Sequence, residues 1–163
     1  MSQYLHVTPL PPTGAAVGRA RAVLREVLLE ATPGDLYDAE LALAEIAGNA
    51  VRHACPPYVL RMVMVGGHPV WCEVVDGRPA GLATILDGLS PADAPGCDEL
   101  FADGGRGLLL VRELSDGCCG AYALRSGRAK AVGFALPVAV GAHGPVRLPP
   151  GRFGWLAHFA VMS

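Results

Sequence analysis

"ELALAEIAGNAVRHA", residues 40–54, reads at first as a buried helix, because alanine, leucine, isoleucine and valine dominate it. Yet Glu45 and Asn49 stand four apart inside it, with Arg52 and His53 one turn further on. Positions three or four apart share one side of a helix, so Glu45, Asn49 and Arg52 form a single polar line, with Asp38 further back along it. Such a line is ordinarily a solvated face. Here it shares its helix with Gly48 and precedes two glycine motifs, which a solvated face does not require.

The flanks of the stretch set its limits. Upstream, Thr32-Pro33-Gly34-Asp35 supplies an N-cap, a proline suited to the first helical position and an acidic capping-box variant. Downstream, Pro56 and Pro57 stop the helix, so it is predicted over residues 33–54. Before it, Val17, Ala20, Leu24, Val27 and Leu28 recur at helical spacing over 14–31, and residues 3–9 read as a short strand. After it, residues 58–65 and 69–75 form a hairpin around Gly66-Gly67-His68. Residues 77–104 are rich in Gly, Pro and Asp with a weak apolar pattern, and read as a long functional or mobile loop. A glycine-opened helix follows over 107–114, then a second hairpin from 118–125 and 129–136. Two hairpins with intervening helices predict an α+β two-layer sandwich, with a mixed, largely antiparallel sheet covered by helices on one face. The domain spans 1–136. Residues 137–163 form a Gly- and Pro-rich C-terminal extension ending in an apolar segment.

Composition narrows the function. The chain has 163 residues, 52% hydrophobic and 17% charged, which suits one globular domain. A formal net charge of −2 without a basic run argues against direct nucleic-acid binding. No apolar run reaches the length of a membrane span, and the N-terminus lacks the pattern of a secretory signal. The five cysteines, Cys55, Cys72, Cys97, Cys118 and Cys119, include no CxxC pair. They read as reduced thiols of a cytoplasmic protein rather than a disulfide framework or a zinc site.

The two downstream motifs are "WCEVVDGRPAG", which ends a strand in Asp76-Gly77, and "ADGGRGLLLVREL", which puts Gly104, Gly105 and Gly107 before a helix. Glycines let a ligand approach the backbone, and the free N–H groups of a helix start favour phosphate oxygens. In this order and spacing the three motifs resemble the Bergerat-type ATP-binding domain of the gyrase and histidine-kinase ATPase superfamily. They are most similar to its anti-sigma-factor serine kinase branch. "EIAGNAVRHA" resembles the N-box, "VVDGRPAG" the first glycine box and "DGGRGLLLV" the second, over roughly residues 14–136.

The resemblance implies roles for particular residues. Asn49 matches the asparagine that binds Mg²⁺ through its side-chain oxygen, and Glu45 matches the general base. Asp76 matches the aspartate that accepts the adenine amino group, and Gly77 the glycine that lets adenine come close. Gly105, Arg106, Gly107 and Leu108 match the turn and helix start that hold the phosphates, and residues 78–104 the ATP lid. Arg52 and His53 fall where a phosphate-contacting basic group is often found; for His53 a structural role at the helix end is an equal alternative. Ala131 stands where the family usually has a threonine that helps the aspartate hold adenine, and Asp103 where some kinases carry a basic residue.

The implied function is an ATP- and Mg²⁺-dependent anti-sigma factor that phosphorylates a serine or threonine on an anti-anti-sigma antagonist. Its implied partners are a sigma factor or related regulator and that antagonist; homodimerisation is open, and no membrane is involved. The alternative is a nucleotide-responsive or nucleotide-free module that switches partners without transferring phosphate. A detached histidine-kinase catalytic domain is a third reading, weakened because no dimerising hairpin with a phospho-accepting histidine is recognisable.

Overall fold

The computed structural model describes residues 2–89 and 106–137. In chain order the elements are β1 (Gln3–Leu10), α1 (Ala15–Val27), α2 (Pro33–His53), β2 (Tyr58–Val65), β3 (His68–Asp76), α3 (Leu82–Gly88), α4 (Arg106–Leu114), β4 (Cys119–Ala123) and β5 (Lys130–Ala135).

Helix α2 organises the helical layer. Its start is fixed as the sequence suggests: the Asp35 N–H donates to Thr32 Oγ1 at 3.2 Å, and that hydroxyl donates to Asp35 Oδ2 at 2.7 Å. Ala39, Ala42, Leu43, Ile46, Ala47 and Ala50 are buried along one side, and the small residues let neighbours come close. From α1, Ala16, Ala20, Val23 and Leu24 complete the helical side of the core. A fully buried leucine such as Leu24 or Leu43 contributes about 1.5–3 kcal/mol. Glu40 interrupts this apolar side. It is buried, and its carboxylate accepts from Arg21 Nη2 at 3.2 Å and Arg25 Nη2 at 3.0 Å, tying α1 to α2. The hydrogen bond from Arg25, outweighing the desolvation that opposes it, holds the Glu40 carboxyl below the usual carboxylate range.

Among the described residues the sheet is five-stranded in the order β1-β2-β3-β5-β4, and each of these pairings is antiparallel. Leu60, Met62, Met64, Cys72, Val74, Val132 and Phe134 face the helices and share one core with them. Burial pushes the Cys72 and Cys119 thiols up, which keeps them protonated. The opposite face carries Val63, Val70 and Trp71, with a polar cluster beside them. There the Glu73 carboxylate accepts from Arg61 Nε at 2.7 Å, Trp71 Nε1 at 3.0 Å and the Tyr122 hydroxyl at 2.9 Å. Position 133 is glycine for a steric reason: an added Cβ would stand 2.7 Å from the Trp71 indole nitrogen.

Two boundaries differ from expectation. Helix α1 ends at Val27 rather than running to residue 31, because Leu28 leaves helical geometry with φ −89° and ψ 48°. The stretch expected to be a loop from residue 77 contains α3. Gly81 enters it at φ 82°, and Ile85 and Leu89 pack on the main core. Gly88 is where α3 meets α4, since a Cβ there would lie 2.8 Å from Leu108 Cδ1. The rest of the expected lid, residues 90–104, lies outside the described residues, as does the extension beyond Pro137. Among the described residues no helix is long and apolar enough to cross a membrane.

Candidate functional site

The polar line of α2 lies at the edge of the core. Ile46, Ala47 and Ala50 are buried on the core side, Glu45 and Asn49 are half-buried, and Arg52 is exposed. The Glu45 carboxylate meets the first turn of α4, where a Cβ on Gly107 would collide with Glu45 Oε2. A glycine leaves room for the tip of the Glu45 side chain against α4, and an anion at a helix start is electrostatically favourable. One turn along, Asn49 Oδ1 accepts a hydrogen bond from Arg52 Nη2 at 2.8 Å. The same guanidinium lies over Gly48, with Nη1 3.1 Å from where a Cβ would be.

A second cluster forms where β3 ends. Asp76 faces Lys130, the first residue of β5, across the antiparallel pairing. Lys130 Nζ donates to Asp76 Oδ1 at 2.9 Å and to the Arg78 carbonyl at 2.6 Å. The Arg78 N–H also donates to Asp76 Oδ1, at 2.9 Å. Both side chains are almost fully buried, at 4% exposure for Lys130 and 3% for Asp76. A buried charge of either sign is costly alone, so each requires the other. Gly77 closes on the α2–β2 connection: its N–H donates to Cys55 O at 2.8 Å, and a Cβ would stand 2.5 Å from the Pro56 carbonyl oxygen. Arg78 reaches back to the end of α2, donating from Nη1 to His53 O at 3.2 Å. A cation is favoured at that helix end.

The residues singled out in the sequence thus fall into two clusters. Glu45 meets Gly107 between α2 and α4, and the Asn49–Arg52 pair follows it along α2; Leu108 is buried and Arg106 is exposed at the start of α4. Asp76 and Gly77 gather with Arg78 and Lys130 at the ends of β3 and β5. His53 is exposed and joins the second cluster through its backbone carbonyl. Gly105 and Asp103 lie outside the described residues.

One sequence expectation needs correction. Ala131 was expected beside Asp76, but its partner across the strands is Val75, whereas Asp76 pairs with Lys130. Strand alternation puts Ala131 on the side opposite Val132 and Phe134, which face the helices. Lys130 is the residue that sequence reasoning missed. The available signal was its phase: it alternates with core residues Val132 and Phe134, and a lysine in a core phase implies a buried acidic partner.

Mg²⁺ fits the donor set. Asn49 Oδ1 is a hard neutral oxygen, and its partner is already a cation on an exposed, movable side chain. Among the described residues, no group of three His, Cys, Asp or Glu side chains converges to hold a metal. An ion at Asn49 would therefore complete its shell with phosphate oxygens and water, as Mg²⁺ commonly does.

Helices layered on one side of an antiparallel sheet, with a carboxylate on one helix meeting a glycine at the start of another, define a two-layer α+β module. The family model described as the histidine kinase-like ATPase domain matches residues 10–132. The chain belongs to that family, and membership supports ATP as its ligand. No curated protein matches the chain.

Proposed function

We propose that this chain is a cytoplasmic anti-sigma-type regulator that binds Mg-ATP across α2, β3 and α4. It also binds a sigma factor or related regulator, and phosphorylates a serine or threonine on an anti-anti-sigma antagonist. The observation that carries this reading is the meeting of Glu45 with Gly107 at the start of α4, one turn from Asn49. It supports a site in which Glu45 serves as base, Asn49 Oδ1 as metal ligand and the α4 start as phosphate cradle.

Bound Mg²⁺ would neutralise phosphate charge. The chain's own residues do the rest. Phosphate oxygens entering at α4 compete with the Glu45 carboxylate for the helix start, which frees Glu45 to act on the acceptor. The acceptor oxygen bonds to the terminal phosphorus, the bond from that phosphorus to ADP breaks, and the hydroxyl proton passes to Glu45. Arg52, displaced from Asn49 Oδ1, is left to pair with phosphate.

A second reading is favoured by a specific observation: Asn49 already accepts from Arg52, and Asp76 from Lys130. A site satisfied by its own chain suits a module that exchanges partners without chemistry. Incubation with ATP and the antagonist, followed by intact-mass measurement, separates the two. A phosphate-sized mass gain on the antagonist, lost in Glu45→Gln, supports the kinase. ATP-driven partner release with no mass gain supports the switch.

A further inference from the structure

We infer that Lys130 sets the base specificity of this site, widening it from adenine to purines that carry an oxygen at position 6. The inference rests on the reading of Asp76 as the base-contacting group.

A lone buried carboxylate set against the 6-position of a purine separates adenine from 6-oxo purines. It accepts from the 6-amino group of adenine and repels the 6-oxo group of guanine or hypoxanthine. Asp76 is not alone, since the Lys130 ammonium stands 2.9 Å from its Oδ1. The pair is neutral overall, so the repulsion that would exclude a 6-oxo group is cancelled within the pair itself. Nor can the ammonium swing away easily. Nζ is held by the Arg78 carbonyl as well as by Asp76, and its backbone is fixed opposite Asp76 in the sheet.

Donor and acceptor geometry points the same way. An ammonium has three N–H groups, and Asp76 and Arg78 take two of them. On the carboxylate, Oδ1 takes both the Lys130 ammonium and the Arg78 N–H, while Oδ2 takes part in neither bond. Among the described residues the cluster therefore leaves an acceptor, Oδ2, and a donor, the third N–H of Lys130. The guanine edge offers the complement, a donor at N1 beside an acceptor at O6. Adenine offers a donor at N6 beside an acceptor at N1, and can use the same two groups in the opposite order.

The test is a calorimetric titration of the full chain with ADP and with GDP, both with Mg²⁺. For the wild type, the GDP dissociation constant should lie within about tenfold of that for ADP. Lys130→Met should weaken GDP by at least about tenfold more than ADP, because the lost bond is charge-assisted. Wild-type rejection of GDP by more than about a hundredfold overturns the inference, as does equal weakening of both ligands in K130M. The wild-type ratio needs no variant, so it decides the matter even if K130M does not fold. If ADP binds and GDP does not, this inference alone falls. If neither binds, the nucleotide-binding reading falls with it.

Discussion

The two ends of the site solve the same electrostatic problem in different ways. On α2, Asn49 is held by Arg52 on an exposed side chain. At the end of β3, Asp76 is held by Lys130 inside the protein. Exposed pairs contribute little, because water competes for both partners. Breaking a buried pair leaves one charge stranded, which costs much more. In the proposed site, the α2 end can therefore exchange its internal partner for a ligand, whereas the β3–β5 end must receive a ligand with its internal partner in place. Burial, more than residue type, separates the adaptable half of the site from the fixed half.

The largest expected effect is chemical and falls on the adaptable end. If the chain is the proposed kinase, Glu45→Gln should lower phosphotransfer by about 10²–10⁴-fold without weakening ATP binding. Equal losses in rate and affinity would show that Glu45 holds nucleotide rather than activating the acceptor. The next effect falls on the fixed end. Lys130→Met should destabilise the fold by about 3–5 kcal/mol in urea unfolding, and the double variant Asp76→Asn with Lys130→Met should cost less than the two single variants summed. Strict additivity would mean that the two side chains do not depend on each other.

Smaller effects sharpen the contrast. Gly107→Ala should cost about 0.5–1.5 kcal/mol by turning the Glu45 side chain aside, and Glu45→Ala should recover part of that loss. No recovery would mean that the clash lies elsewhere. Arg52→Ala, by contrast, should change stability by no more than about 1 kcal/mol. A larger loss would place Arg52 among the structural residues and remove the distinction between the two ends.

The fold was largely legible in the sequence because its elements carry their own punctuation. Thr32, Pro33 and Asp35 open α2, Pro56 and Pro57 close it, and glycine pairs mark the first hairpin. Helix α3 was missed because its residues pack through only a few apolar contacts, and its entry depends on the positive φ of Gly81. The α2 cluster could be read from helical spacing alone. The β3–β5 cluster could not, because it depends on strand register. A shift of one residue exchanges Lys130 for Ala131 beside Asp76 and changes the chemistry of that end. Glu40 shows the same limit, since its partners Arg21 and Arg25 lie on another helix. Because its folded-state pKa is lowered, its contribution to stability is present above the unfolded carboxylate pKa and is lost as pH falls through the folded value. The stability gap between wild type and Glu40→Gln should therefore close on acidification, as read from urea midpoints across the acidic range. A gap that stays constant would contradict the ion pairing.

If this chain binds Mg-ATP through the α2 line, ATP must stabilise its fold in a Mg²⁺-dependent way. The most direct measurement is thermal unfolding with increasing ATP, with and without Mg²⁺, in the wild type and in Asn49→Ala. The account predicts stabilisation reaching about 2.7 kcal/mol when ATP is at a hundred times its dissociation constant, with the Mg²⁺-dependent part lost in Asn49→Ala. An unfolding transition unmoved by millimolar Mg-ATP, or an Asn49→Ala protein stabilised as fully as the wild type, would contradict it.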